Sequence, residues 1–297
     1  MNTHTDEFAP MNALPAGLDA RLTPARPDLA ALHLQGVVTA ERFVAGEPHR
    51  VIRPAAPVRG EPDPLAPLVT ETLAGEAVTV FETTMEGWAW GQLDADSYVG
   101  WLPAEALAPA GPAPTHKVVA LRTPVFPGPS IKLPPTGLLS FGSRLALTGT
   151  RERFAVTVEG GFVFAGHLAP LDTFEGDFVD VAGRFLGAAY LWGGRSSLGL
   201  DCSGLVQVAL NACGMACPRD TDMQESTLGN AVAFSGDLAE LRRGDLLYWP
   251  GHVGMVADGA TLLHATAHFM SVVREPLGAA LARIEASGTP LRTVRRL

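Results

Sequence analysis

The chain has 297 residues, 47 % hydrophobic and 18 % charged, enough apolar material for two or three globular domains. Its 22 basic against 31 acidic residues leave a net charge of −9 with no basic block, which argues against nucleic acid and anionic membrane as partners. No run reaches the roughly 18–20 apolar residues of a membrane span.

The first twenty residues, MNTHTDEFAPMNALPAGLDA, lack the basic and apolar regions of a secretory leader, and a cytoplasmic location is expected. Residues 1–48 read as an N-terminal helical arm, with a short helix over DLAALHL entered through Pro27 and Asp28. HRVIRPAAPVRGEPDP follows as a proline-rich extended stretch, and from about residue 68 to about 172 the texture is short alternating runs broken by turns. EAVTVFETTMEGWAWGQLDADSYVGWLPAEAL lies in the first half, 49–112, and SRLALTGTRERFAVTVEGGFVFAGHLAPL in the second, 113–172. The shared closure of an aromatic residue, valine and a late leucine suggests an internal duplication giving two small all-β barrels. The piece GWAWGQLDADSYVGWL resembles bacterial SH3-like domains.

Residues 173–297 change period. DFVDVAGRFLGAAYLWGG places Phe178, Val181 and Phe185 at helical spacing up to Gly187, and CSGLVQVALNACG repeats the pattern up to Gly214. Strand-like GDLLYWP, HVGMVAD and TLLHATA follow, separated by turn residues. Helices first and strands after indicate an α+β domain with an antiparallel sheet.

A lone cysteine among apolar residues is ordinarily a small buried hydrophobe. Cys202 is set differently, behind a glycine-rich aromatic approach, between Asp201 and Ser203, at the first turn of a helix. The unpaired amides and dipole there favour a thiolate, so a lowered thiol pKa is expected. A cysteine nucleophile needs a base. His252 enters one strand and His264 lies in the next, so antiparallel pairing would set the two imidazoles together, His252 as base and His264 holding its orientation. His116, His167 and His268 have no such setting. Cys213 and Cys217 have no partner pair at zinc-site spacing, and Cys–His chemistry requires neither metal nor cofactor.

In order, YLWGGRSSLGLDCSGLVQ, PRDTDMQ, LRRGDLLYWPGHVGMV and LLHA resemble the NlpC/p60 cysteine peptidases over residues 175–297. The resemblance implies a papain-like α+β catalytic domain preceded by two SH3-like barrels, with Cys202 as nucleophile, His252 as base and His264 as the third member. It further implies that Tyr190 and Trp192 form an aromatic wall and that Asp201 and Ser203 flank the nucleophile. Asp220 would face the free amine of a peptide, beside Thr221 in the place of the family's serine, with Tyr98 and Glu76 of the first barrel at the same amine and Asp201 a further acid for it. Arg219 and Ser203 are candidates for a substrate carboxylate.

The activity so implied is hydrolysis of the γ-D-glutamyl–diamino acid bond in murein tri- or tetrapeptides with a free N-terminal L-Ala, in peptide recycling. Three alternatives remain open on the residues alone: a hydrolase of intact peptidoglycan, a non-catalytic wall- or peptide-binding module, and thiol-dependent acyl transfer.

Overall fold

The computed structural model describes residues 14–297. The first thirteen residues of the expected arm lie outside this range.

The expected helix at DLAALHL does not form. Leu29–Ala31 is a short strand paired in parallel with Arg42–Val44, followed by a single 3-10 turn at Leu32–Leu34. Leu29, Ala30 and Ala31 are all fully buried, whereas a surface helix would bury one stripe. Leu29 packs with Trp90 and Trp101, and the Arg26 guanidinium lies over both indoles, 4.4 and 4.8 Å from their centroids. This segment is thus fastened to the β structure that follows it.

That β structure is one seven-stranded antiparallel sheet. In spatial order its strands are Leu68–Leu73, Ala55–Arg59, Val99–Pro103, Trp88–Leu93, Ala77–Thr83, Glu47–Val51 and Leu107–Pro109. Val51, Val58, Val78, Leu93 and Leu102 form its core. The next β unit, where a second small barrel is expected, is arranged differently from the first. It is split into a three-stranded sheet centred on His116–Val118 and a five-stranded sheet running from Gly137–Ser140 to Leu147–Arg151. The two units still share their closure. Each ends with a 3-10 turn, Ala104–Ala106 or Ala165–His167, leading into a Leu-Ala-Pro strand.

The C-terminal part is built on a nine-stranded sheet, antiparallel except where Ala189–Tyr190 runs parallel to Gly199–Leu200. Its middle strands are Ser271–Pro276, Thr261–Thr266, His252–Asp258 and Leu246–Trp249. Helix α1 spans Phe178–Gly183, shorter than the expected run to Gly187, because the chain tightens into a turn at Arg184 and Phe185. Helix α2 spans Cys202–Ala212 and is buried on all sides except at Asn211. Its C-terminal end is turned by Gly214, whose φ of +76° suits glycine. Helix α3 spans Thr221–Thr227, and α4, Leu277–Ala286, covers the sheet's opposite face over Leu247, Trp249, Val256 and Leu262.

Candidate active site

Helix α2 starts where the chemistry needs it because of its cap. Asp201 accepts from the Gly204 amide at 2.7 Å through Oδ1 and from the Gly193 amide at 2.9 Å through Oδ2. A side chain at Gly204 would strike the Gly194 carbonyl, a Cβ there lying 2.3 Å from its oxygen, so glycine lets the helix touch the Gly193–Gly194 turn. Arg219 completes the arrangement, giving one hydrogen bond to each oxygen of Asp201 (2.9 and 2.7 Å) and others to Thr70 and Ser203.

Cys202, the first residue of α2, is 5 % exposed. Its sulfur lies 3.9 Å from both the Thr221 hydroxyl and the Gly251 carbonyl. Burial, then the neighbouring Asp201 charge, pushes the thiol up to about 11. The lowering expected from the helix start is therefore reversed, since desolvation outweighs the amides that favour the thiolate.

The turn touching the sulfur carries His252. Its Nε2 lies 2.9 Å from Nδ1 of His264, one nitrogen donating to the other. His252 also packs against Trp249, with ring centroids 5.5 Å apart. Burial, then the adjoining His264, lowers His252 to about 3. Burial, then Arg283 and His268, lowers His264 to about 4. Thiol and imidazoles all rest uncharged at neutral pH.

Above the sulfur is a cavity of about 400 Å³. Tyr190 and Trp192 line it as expected of an aromatic wall, Trp192 being 65 % exposed. The first β unit contributes Val69 and Tyr98. The Tyr98 hydroxyl donates to Asp220 at 3.1 Å, joining the two parts of the chain at the cavity. Burial, opposed by Arg219 and Arg21, raises the Asp220 carboxyl above its ordinary range. Thr221 begins α3 at the cavity wall.

Other expectations need correction. Glu76 is not at the cavity. It is buried, paired with Arg195 at 2.7 Å, and accepts from Thr72 and the Leu73 amide. Burial pushes its carboxyl up, but Arg195 and these donors hold it below the usual range. Arg219 is 1 % exposed with its donors committed, so it is not free for a substrate carboxylate. Asp201 reaches the cavity lining, but its charge is matched by Arg219 and is not available for an amine. Ser203 lines the same cavity, with its hydroxyl between Arg219 and Asp201.

The residues that sequence reasoning missed are mostly charged. Arg21 reaches the cavity and binds Asp220 (2.8 Å) and Asp222 (2.9 and 2.8 Å), while Asp19 grips its other edge. Glu225 and Arg292 complete the rim, 3.6 Å apart. Asp222 and Glu225 were within reach of sequence, since they follow Asp220 closely and lie three residues apart, a helical spacing. Arg21 was not, being about 200 positions from its partners.

Fold and site together define a papain-like α+β domain with a cysteine at a helix start and a histidine pair on the facing sheet. The chain matches the family described as Bacterial dipeptidyl-peptidase Sh3 domain over residues 58–107 and the NlpC/P60 family over 187–279. It is 27 % identical over 219 residues to the gamma-D-glutamyl-L-lysine dipeptidyl-peptidase of Bacillus subtilis (strain 168), covering 66 % of this chain and 71 % of that one. Identity to the protein of the same name from Bacillus cereus is 26 % over 244 residues, 71 % of each chain. The crystal structure of an NlpC/P60 family protein from Bacillus cereus superposes with a TM-score of 0.70 at 21 % identity, covering 84 % of this chain and 99 % of the other. The chain carries an NlpC/P60 domain with a bacterial SH3 domain.

Proposed function

We propose that the chain is a cysteine endopeptidase that cleaves between γ-D-glutamate and an L-diamino acid in murein stem peptides whose N-terminal L-Ala is free. The observation that carries this reading is a junction in the cavity lining. Tyr98 of the first β unit and Asp220 of the C-terminal part meet there, a hydroxyl and a carboxylate beside the thiol's cavity. The cavity carries carboxylates at Asp220, Asp222 and Glu225 against guanidiniums at Arg21 and Arg292, the Asp201 charge being matched by Arg219. An ammonium suits that surplus of negative charge. A volume of about 400 Å³ is enough for a dipeptide. A short free peptide as substrate fits a role in recycling in the cytoplasm. The names of the two Bacillus relatives support the γ-D-glutamyl bond and L-lysine as the residue after it.

In this mechanism the Cys202 proton passes to His252 as sulfur bonds to the γ-carbonyl carbon. His252 Nε2 is engaged with His264, so the proton is taken at Nδ1. Collapse of the tetrahedral adduct breaks the C–N bond, and the imidazolium returns the proton to the leaving amine. Water, deprotonated by His252, then hydrolyses the thioester and restores the thiol. The Cys202 amide at the start of α2 supplies an oxyanion donor.

The test is incubation with L-Ala-γ-D-Glu-L-Lys, its meso-diaminopimelate counterpart and their N-acetyl forms, with Cys202→Ser as control and products followed by mass spectrometry. Release of L-Ala-D-Glu from the free-amine peptides only, lost in the variant, is the expected result. Equal cleavage of the acetylated forms would overturn the amine-recognising part, and no cleavage would overturn the whole.

A further inference from the structure

Behind His264 the polar chain continues to a residue that the sequence motifs did not single out. Glu275 lies on the strand Ser271–Pro276, whose register pairs His264 with Val273, placing the carboxylate two residues along from the partner position. Its Oε1 is 2.8 Å from His264 Nε2. Nε2 is buried and has no aligned hydrogen bond, so this carboxylate oxygen is its close polar neighbour. Arg283 of α4 binds the same oxygen at 2.5 Å, so that oxygen is held between a guanidinium and the imidazole.

We infer that Glu275 is a positioning residue that fixes which nitrogen carries the proton on both imidazoles. A bare Nε2 lone pair facing a carboxylate oxygen at 2.8 Å would be repelled, so the His264 proton sits on Nε2. Nδ1 of neutral His264 is then an acceptor only. The 2.9 Å contact to His252 therefore requires His252 to donate from its own Nε2. His252 is left with an unprotonated Nδ1, the lone pair that the proposed reaction uses to take the thiol proton. One carboxylate at the end of the chain thereby sets the direction of every hydrogen bond before it, as the partner of a ligating or catalytic histidine does elsewhere. In the opposite tautomer, with Nδ1 of His264 protonated, His252 would accept at Nε2 and carry its proton on Nδ1, unable to act as base there.

The charged and titratable groups around the pair are His252 on its own strand, Glu275 on the adjoining one, Arg283 on α4 and His268 in the turn after the His264 strand. The catalytic consequence rests on the proposed peptidase reading, but the proton positions can be measured without substrate. The experiment is nitrogen-15 NMR of histidine-labelled protein at neutral pH, with His252→Gln and His264→Gln for assignment. In the unmodified sequence both imidazoles are expected with the proton on Nε2. A protonated Nδ1 on either would overturn the inference whatever the activity proves to be.

Glu275→Gln supplies the second arm, because its amide can either accept from Nε2 or donate to it. A new population of His264 protonated on Nδ1 is expected. With it should come a fall in kcat of about 10- to 100-fold while KM moves less than about twofold. Unchanged proton positions and unchanged kcat in folded Glu275→Gln would overturn the inference. Lost activity without any change of proton position would do the same, leaving Glu275 a packing residue.

Discussion

Arg219 holds both carboxylate oxygens of Asp201, at 2.9 and 2.7 Å, directly beside the start of the helix that carries Cys202. The pair is buried, and it ties the α3 approach to the α2 cap. Removing one partner leaves the other's charge unpaired out of water, so Arg219→Ala is expected to destabilise the fold by about 3–5 kcal/mol. Arg219→Lys should recover only part of this, since an ammonium cannot grip two oxygens side by side. Urea unfolding measures both, and a loss below about 1 kcal/mol for the alanine variant would refute a structural role for the pair.

Glu76 and Arg195 make a second buried pair, joining the first β unit to the segment before Cys202. Glu76→Ala is expected to lower stability by about 3 kcal/mol or more while leaving KM of the folded fraction within about twofold. Thermal unfolding with steady-state kinetics tests this. A raised KM at unchanged stability would return Glu76 to the substrate site.

The uncharged resting state of Cys202 has a kinetic signature. With the thiol pushed up to about 11, its thiolate fraction is small at neutral pH and rises about tenfold per pH unit towards that value. Alkylation by iodoacetamide should climb steeply between pH 7 and 9 rather than level off. His252, lowered to about 3, stays neutral and able to accept a proton as pH falls through the ordinary imidazole range. The acid limb of kcat/KM should therefore lie below pH 6.5, where an unperturbed histidine would place it. A preformed thiolate–imidazolium pair would instead give alkylation already at its plateau by pH 7.

The Tyr98–Asp220 junction is the test of amine recognition. Asp220→Asn should raise KM for the free-amine peptide by about 10- to 100-fold, the range for a hydrogen bond to a charged group. Tyr98→Phe should have a smaller effect of the same sign. Neither should alter the already poor turnover of the N-acetyl peptide, and parallel losses on both peptides would show that the junction is only structural.

The reacting residues were legible before any coordinates because each sits in a local pattern. The Gly-rich approach and the Asp-Cys-Ser-Gly sequence dictate a capped helix start at Cys202, and period-2 runs dictate strands that bring His252 and His264 together. Charge partners were another matter. Glu76 and Arg219 look like solvated charges available to a ligand when read from the chain alone. Their burial depends on Arg195, Thr70 and Asp201, 18 to 149 residues away along the sequence, which no local pattern encodes.

The arm shows the same division. DLAALHL has the composition of a helix, but Leu29 to Ala31 form a strand because the Trp90 and Trp101 face and the strand at Arg42–Val44 offer burial to every side chain at once. The sequence by itself determined the α+β character of the C-terminal part, the helix that begins at Cys202 and the pairing of two histidines, since these follow from periodicity and capping over a few residues. Only the tertiary structure decided the ionisation of the thiol, the partners of the buried charges and the union of Arg21, Tyr98 and Asp220 at one cavity. Those depend on desolvation and on distances between chain segments that meet only once the whole chain has packed.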